Sequence, residues 1–192
     1  MPQFWSECRI KYELAACLLF KNVASYLKEW IDCHAAVGVE KLYLYNNGSR
    51  DHYWNVLAPY IASGLVTLHE WPAIPGFPTA YEHCSTHYRY DARWIAMIDD
   101  DEFLFPLTEN PLVKVLSKYE NHPAVAVHWA MFGSNGHEAK PAGLVIENYT
   151  RRNASISPKI KSIVNPRRVK TYKSTHYAIY TGHQFAVNEK FL

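Results

Sequence analysis

Four consecutive carboxylates, Asp99, Asp100, Asp101 and Glu102, stand in the stretch "WIAMIDDDEFLFP" between two apolar runs. Two unit charges about 4 Å apart repel by about 4 kcal/mol at an effective dielectric of 20, so such a cluster beside a core needs protons or a cation to compensate it. Along an extended segment side chains alternate, which predicts Asp99 and Asp101 on one face and Asp100 and Glu102 on the other. The D-x-D spacing then aims two carboxylates at one point. Such a pair suits a hard divalent ion, Mg2+ or Mn2+, whose remaining positions are filled by the phosphate oxygens of a substrate. A solvated acidic turn is the plainer alternative, and the apolar flanks argue against it.

A cluster of this kind needs a buried strand to carry it, and the preceding sequence supplies several. "ELAACLLF", Glu13 to Phe20, is a nearly continuous apolar run that stops at Lys21 and Asn22, the pattern of a strand buried on both faces. Val23, Tyr26, Leu27, Trp30, Ile31, His34 and Val37 then recur at helical spacing, with Gly38 placed as a C-cap glycine. "KLYLY" reads as a second strand, followed by the turn-rich Asn46-Asn47-Gly48-Ser49 and by Ser49 or Asp51 as a candidate N-cap. Val56, Leu57, Tyr60 and Ile61 give a second helix its apolar face, which Pro59 kinks or shortens and Gly64 ends. "LVTLHEW" is a third strand; a Pro-rich loop leads to a third helix from about Thr79 to Tyr90, and "RWIAMID" is the fourth strand.

Strand and helix thus alternate, which predicts an α/β fold with a mostly parallel sheet and helices on both faces. Ligands of such sheets bind at the carboxyl ends of the strands. Those ends carry Lys21 and Asn22, Asn46 and Asn47, and the acidic cluster, so the fold itself brings three polar groups to one edge. Beyond Pro106 the sequence suggests a helix near Leu112 to Tyr119, a strand "AVAVHWAMF", a glycine-containing loop, a helix around Leu144 to Arg151, a basic stretch and a late strand "THYAIY". The loop presents Glu138, a candidate general base or else an ordinary exposed carboxylate. His176 in the late strand is a candidate third metal ligand, His137 invites the same question, and Trp129 and Phe132 are candidates for stacking on a ligand ring.

The ordered set "KNVASYLKEWIDCHAAVGVEKLYLYNNGSRD", "VLAPYIASGLVTLHEWP", "WIAMIDDDEFLFP" and "HWAMFGSNGH" resembles glycosyltransferase family 92 and its bacterial relatives within the GT-A fold, related to the family 2 glycosyltransferases. The likeness covers Leu14 to about His137, and the tail more loosely. It implies an enzyme that moves a sugar from a nucleotide diphosphate donor, a UDP-sugar, to an acceptor hydroxyl of a glycan with inversion. A divalent metal would be bound directly by Asp101, with Asp99 on the ribose or a metal-bound water. Lys21, Asn22, Asn46 and Asn47 would face the nucleotide, and Lys161, the matching position in the tail, would lie near the diphosphate. Inversion needs a base opposite the leaving group; Glu138 is the candidate, with Asp100 and Glu102 its rivals. Two departures stand out: Val23 replaces the acidic residue usual after "KN", and the chain is short enough to leave open a truncation at the C-terminus of its single domain.

Composition narrows the alternatives. Seventeen of the 18 acidic residues precede Arg151, whereas Arg151 to Lys173 holds eight basic residues and no acid, a segment suited to a phosphate or to peripheral contact with an anionic membrane. A net charge of +2 is too modest to suggest nucleic-acid binding. The cysteines Cys8, Cys17, Cys33 and Cys84 lack C-x-x-C spacing, and three lie in apolar-periodic segments, which suits free thiols. No stretch approaches the roughly 20 apolar residues of a membrane span, and the start lacks the order of a secretion signal, so the expectation is a cytoplasmic protein. A metal-dependent phosphoesterase would call for carboxylates at the other strand ends, where amides stand. A non-catalytic nucleotide-sugar or carbohydrate binding module remains the alternative of a different class.

Overall fold

The computed structural model describes residues 10–191, so Cys8 lies outside the described part. Its elements run β1 (Tyr12–Phe20), α1 (Ala24–Ala36), β2 (Lys41–Asn46), α2 (Tyr53–Ala62), β3 (Val66–Glu70), α3 (Gly76–His87), β4 (Ala92–Met97), α4 (Leu112–Leu116), β5 (Ala124–His128), α5 (Val145–Asn148), β6 (Ile160–Val164), β7 (Val169–Tyr172) and β8 (Ala178–Tyr180). The six-stranded sheet has the order β3-β2-β1-β4-β6-β5. Strands β1 to β4 pair in parallel; β6 is antiparallel to both β4 and β5. Five strands therefore share one direction, and the mostly parallel α/β architecture expected from the alternating pattern is present.

Period-two alternation along β1 divides the core into two layers. Leu14, Ala16, Leu18 and Phe20 pack with Leu27, Trp30 and Ile31 of α1, Leu57 of α2 and Leu112 and Leu116 of α4. Ala15, Cys17 and Leu19 face the other way, toward Ala80, Tyr81 and Cys84 of α3 and toward Val169, Tyr172, Ala178 and Tyr180 of the β7–β8 hairpin. Gly38 ends α1 in the left-handed region, at φ 100°, and any Cβ there would lie 2.7 Å from Pro111, so two constraints select glycine. Cys17, Cys33 and Cys84 are free thiols, and among the described residues no helix is long and apolar enough to cross a membrane.

Several boundaries differ from the sequence reading for physical reasons. Helix α3 begins at Gly76, not Thr79, because Pro78 falls in the first turn, where its missing N–H is one the helix leaves unpaired anyway. Neither Ser49 nor Asp51 caps α2, whose N-cap is His52. Ser49 accepts instead from the Asn22 N–H and Asp51 from the Ala24 N–H, tying the β2–α2 loop to the start of α1. The stretch Arg151 to Lys173 is not one basic surface strip: it contains β6 and β7, and Lys161 to Pro166 are buried. The late strand β8 pairs with β7 and does not return to the main sheet.

On α1, His34 is fully buried; its Nδ1–H donates to the Trp30 carbonyl at 2.7 Å and its Nε2 accepts the Leu104 N–H at 3.1 Å. The bond accepted by Nε2 requires the neutral ring, and burial pushes its pKa down to about 4 against the Trp30 bond, which favours the charged form. The unfolded chain, with an ordinary histidine, binds the extra proton between about pH 6.5 and 4, so this contribution is complete above pH 6.5 and is lost as the pH falls, reaching about 3 kcal/mol. Denaturant titrations of the wild type from pH 7.5 to 4.5 are expected to show that loss. His34→Gln, which keeps an acceptor for Leu104 and cannot protonate, should flatten the slope over the same interval.

Candidate functional site

Beyond Met97 the chain leaves the sheet and turns at once: the Glu102 N–H donates to the Asp99 carbonyl, closing a turn over residues 99–102. The extended alternation predicted for D-x-D is therefore corrected. Asp99 is paired with Glu102, not with Asp101. The Glu102 carboxylate accepts the Asp99 N–H at 2.8 Å, and both carboxylates face one ammonium, with Lys161 Nζ 2.6 Å from Asp99 Oδ2 and 3.5 Å from Glu102 Oε2. Asp99 is gripped from both helical layers as well: Tyr81 of α3 donates to its Oδ1 at 3.0 Å, and the Trp30 indole of α1 donates to its carbonyl at 3.0 Å. Asp101 is the exposed carboxylate of the turn and has no hydrogen bond or ion pair among the described residues.

The electrostatics follow from burial. Burial raises the Glu102 carboxyl to about 7, with the Asp99 N–H and Lys161 opposing it and the charges of Asp99 and Asp101 adding to it. Asp100, half-buried, is raised by burial first and then by Asp101 and Asp99. Lys161 is only 5% exposed, so the solvated charge expected of a lone lysine is not what it is. It reaches the turn because β6 runs antiparallel beside β4, with Ser162 opposite Met97.

At the ends of β1 and β2 the amides serve structure. Asn22, at φ 57°, accepts the Arg50 N–H. Asn46 is buried, donating to Glu70 and accepting from Ser49, and Asn47 donates to the carbonyls of Trp71 and Ala73. Lys21 is exposed at the same edge. These residues stand where the topology was expected to place them, but Asn22, Asn46 and Asn47 tie neighbouring loops together, and Asn46 uses both its amide nitrogen and its amide oxygen in doing so.

Residues 129–159 extend the β5–β6 pair beyond the sheet edge, with Phe132 bridged to Arg152 and the Asn153 N–H bonded to the Met131 carbonyl. This arm folds back over α1: Lys140 donates to Ser25 and lies 3.8 Å over the Tyr26 ring, and Glu29 accepts the Val145 and Ile146 N–H groups. Glu138 is exposed on the arm, Phe132 is exposed, and His137 lies edge-on to Tyr149. His176 sits against the Ile160 carbonyl and the Trp129 ring, and among the described residues no three His, Cys, Asp or Glu side chains converge as a cation site. The structure thus does not group His176 with Asp99 and Asp101. Tyr81, Trp30 and His34 are the site residues missed from sequence, where Trp30 and His34 read simply as apolar-spaced positions of the first helix and Tyr81 fell unremarked within the third.

The glycosyltransferase family 92 profile matches residues 12–190. The chain belongs to glycosyltransferase family 92. A family 92 protein of Ricinus communis is 31% identical over 192 residues, spanning 92% of this chain and 33% of that one. Galactan beta-1,4-galactosyltransferase GALS2 of Arabidopsis thaliana is 26% identical over 127 residues, covering 59% of this chain and 24% of its own. This family 92 chain therefore spans about a third or less of the length of these relatives. S. aureus TarS 1-349, crystallised with UDP, superposes with a TM-score of 0.50 at 11% identity over 68% of this chain and 38% of that one, so the family 92 chain has the GT-A fold.

The grip on Asp99 is measurable without any ligand. Removing the Tyr81 hydroxyl leaves a largely buried carboxylate short of one charge-assisted bond, a loss of about 1.5–3 kcal/mol. Tyr81→Phe should lower the urea midpoint accordingly with an unchanged m-value; an unchanged midpoint would mean that the bond contributes nothing.

Proposed function

We propose that this family 92 domain is an inverting, metal-dependent glycosyltransferase that moves a hexose from a UDP-sugar to a hydroxyl of a glycan acceptor. The observation that carries the reading is the acidic turn at the carboxyl end of β4, which holds Asp99 in place from three sides while presenting Asp101 free at the surface. The UDP complex of TarS and the galactosyltransferase relatives support the donor class and the hexose.

The donors at the turn fit Mg2+ or Mn2+. They are all carboxylate oxygens, and one free carboxylate with a second beside it matches an ion that takes one or two protein ligands and completes its shell with phosphate and water. Asp101 would hold it directly and Asp99, through its remaining lone pairs, a bound water. When present, such an ion acts as a Lewis acid toward the departing diphosphate.

The chain's own groups supply the rest. Lys21, exposed at the end of β1, adds positive charge at the edge where a diphosphate would lie. Glu138 sits on the arm that folds over α1, and an exposed carboxylate can take the proton of the acceptor hydroxyl while that oxygen bonds to the anomeric carbon and the bond to diphosphate breaks. Phe132 offers an open ring for the acceptor sugar to stack on.

Calorimetry with UDP and Mn2+, separately and together, tests the donor half. UDP binding is expected to depend on Mn2+, and Asp101→Ala should weaken it by more than the roughly 10–100-fold typical of losing an outer-shell partner. Metal-independent UDP binding, or none, would sink the reading. For the base, Glu138→Gln is expected to lower kcat by about 10² to 10⁴-fold with donor affinity unchanged. If Asp100→Asn carries that loss while Glu138→Gln stays active, the base is Asp100. Nucleotide binding without turnover of any hexose donor would leave a binding module.

A further inference from the structure

We infer that Lys161 is the resident cation of the acidic turn and makes metal binding conditional on the nucleotide, so that the divalent ion enters as a chelate of the diphosphate and not beforehand. The inference rests on the proposed glycosyltransferase reading and adds to it the order of binding.

The geometry gives the reason. Two carboxylates that share a side, Asp99 and Glu102, would ordinarily be the pair that grips a dication. Between them stands the Lys161 ammonium, 2.6 Å from one and 3.5 Å from the other, on a side chain 5% exposed. Its buried Nζ makes no hydrogen bond among the described residues, so its polar contacts are the two ion pairs. Asp99 Oδ1 is engaged by the Tyr81 hydroxyl, and Glu102 Oε2, the oxygen that faces Lys161, also accepts the Asp99 N–H. Asp101 is left as the exposed, unengaged carboxylate of the turn. A single exposed carboxylate, in a turn whose Asp99 and Glu102 already face a fixed ammonium, is a poor site for a bare dication, because it offers one ligand and the ammonium's like charge opposes entry between the other two. A diphosphate changes the balance by bringing its own negative charges and oxygen donors, so the ion needs only Asp101 and its solvent shell from the protein side.

The test is binding of Mn2+ followed by the disappearance of the free-ion paramagnetic signal, and by calorimetry, in the intact chain. For the wild type, Mn2+ alone should bind weakly and Mn2+ with UDP much more tightly. Lys161→Met, similar in length and uncharged, should raise the affinity for Mn2+ alone by at least about tenfold, the direction set by removing one charge at close range. Tight binding of Mn2+ alone to the wild type, equal to that with UDP, overturns the inference while leaving the functional reading intact. So does an unchanged Mn2+ affinity in a folded Lys161→Met chain. Should Lys161→Met fail to fold, the wild-type comparison decides by itself. Absence of UDP binding under every condition overturns the functional reading, and this inference with it.

Discussion

Lys161 Nζ lies 2.6 Å from Asp99 at the end of β4, and without that ammonium the carboxylates of residues 99–102 would have to disperse into solvent or take up protons. The constraint reaches far into the fold. An ammonium can be delivered to the carboxyl end of a parallel strand by a neighbour that runs the opposite way, entering from that edge. Strand β6 is that neighbour, the one strand of the six-stranded sheet that runs against the others. The long excursion of residues 129–159 is the connection that lets the chain leave β5, pass over α1 and return along β6. Breaking such a buried pair from one side is costly, since the remaining charge stays where water cannot reach it freely.

The layers on either side of the sheet complete the restraint. α1 contributes Trp30 to the Asp99 carbonyl and α3 contributes Tyr81 to its carboxylate. His34 then fixes both Trp30, through its carbonyl, and Leu104 just beyond the turn. The acidic turn is thus held before and after its four charges by groups in the core, which is how a segment with so much like charge keeps one conformation. This arrangement leaves Asp101 different in kind from Asp99 and Glu102: those two are tied, and it is exposed and free.

Much of this architecture was legible in the sequence, because β1 to β4 and the helices between them carry long apolar runs or clean helical spacing that local physics reads without context. What escaped was set by distant partners. "KIKSIV" is short and has lysines at its first and third positions, so nothing local marks it as a core strand; it becomes one because Val164 and Ile163 pair with Ile95 and Ala96 of β4. The alternation of Asp99 and Asp101 failed for a related reason. The strand ends at Met97, and Lys161 together with the Asp99 N–H draws Glu102 back to the side of Asp99. Asn46 and Asn47 stand at the end of β2, as the alternating pattern predicted, yet their amides are engaged by Glu70, Ser49, Trp71 and Ala73, contacts that depend on where β3 docks.

The binding order proposed for this turn requires that it hold its shape when neither dication nor nucleotide is there. Carboxylates arranged for a metal repel one another in its absence, and an unbraced turn would open, at an entropic cost to be met again on each binding event. The ion pair and the two core hydrogen bonds remove that cost by ordering the turn at synthesis and keeping it ordered. Burial of Glu102 contributes in the same sense, since a carboxyl raised to about 7 sheds part of its charge near neutrality and so lowers the repulsion that Lys161 must offset. The compensation is local: Lys161 offsets much of the charge of Asp99 and Glu102, while Asp101 stands exposed with no cationic partner among the described residues.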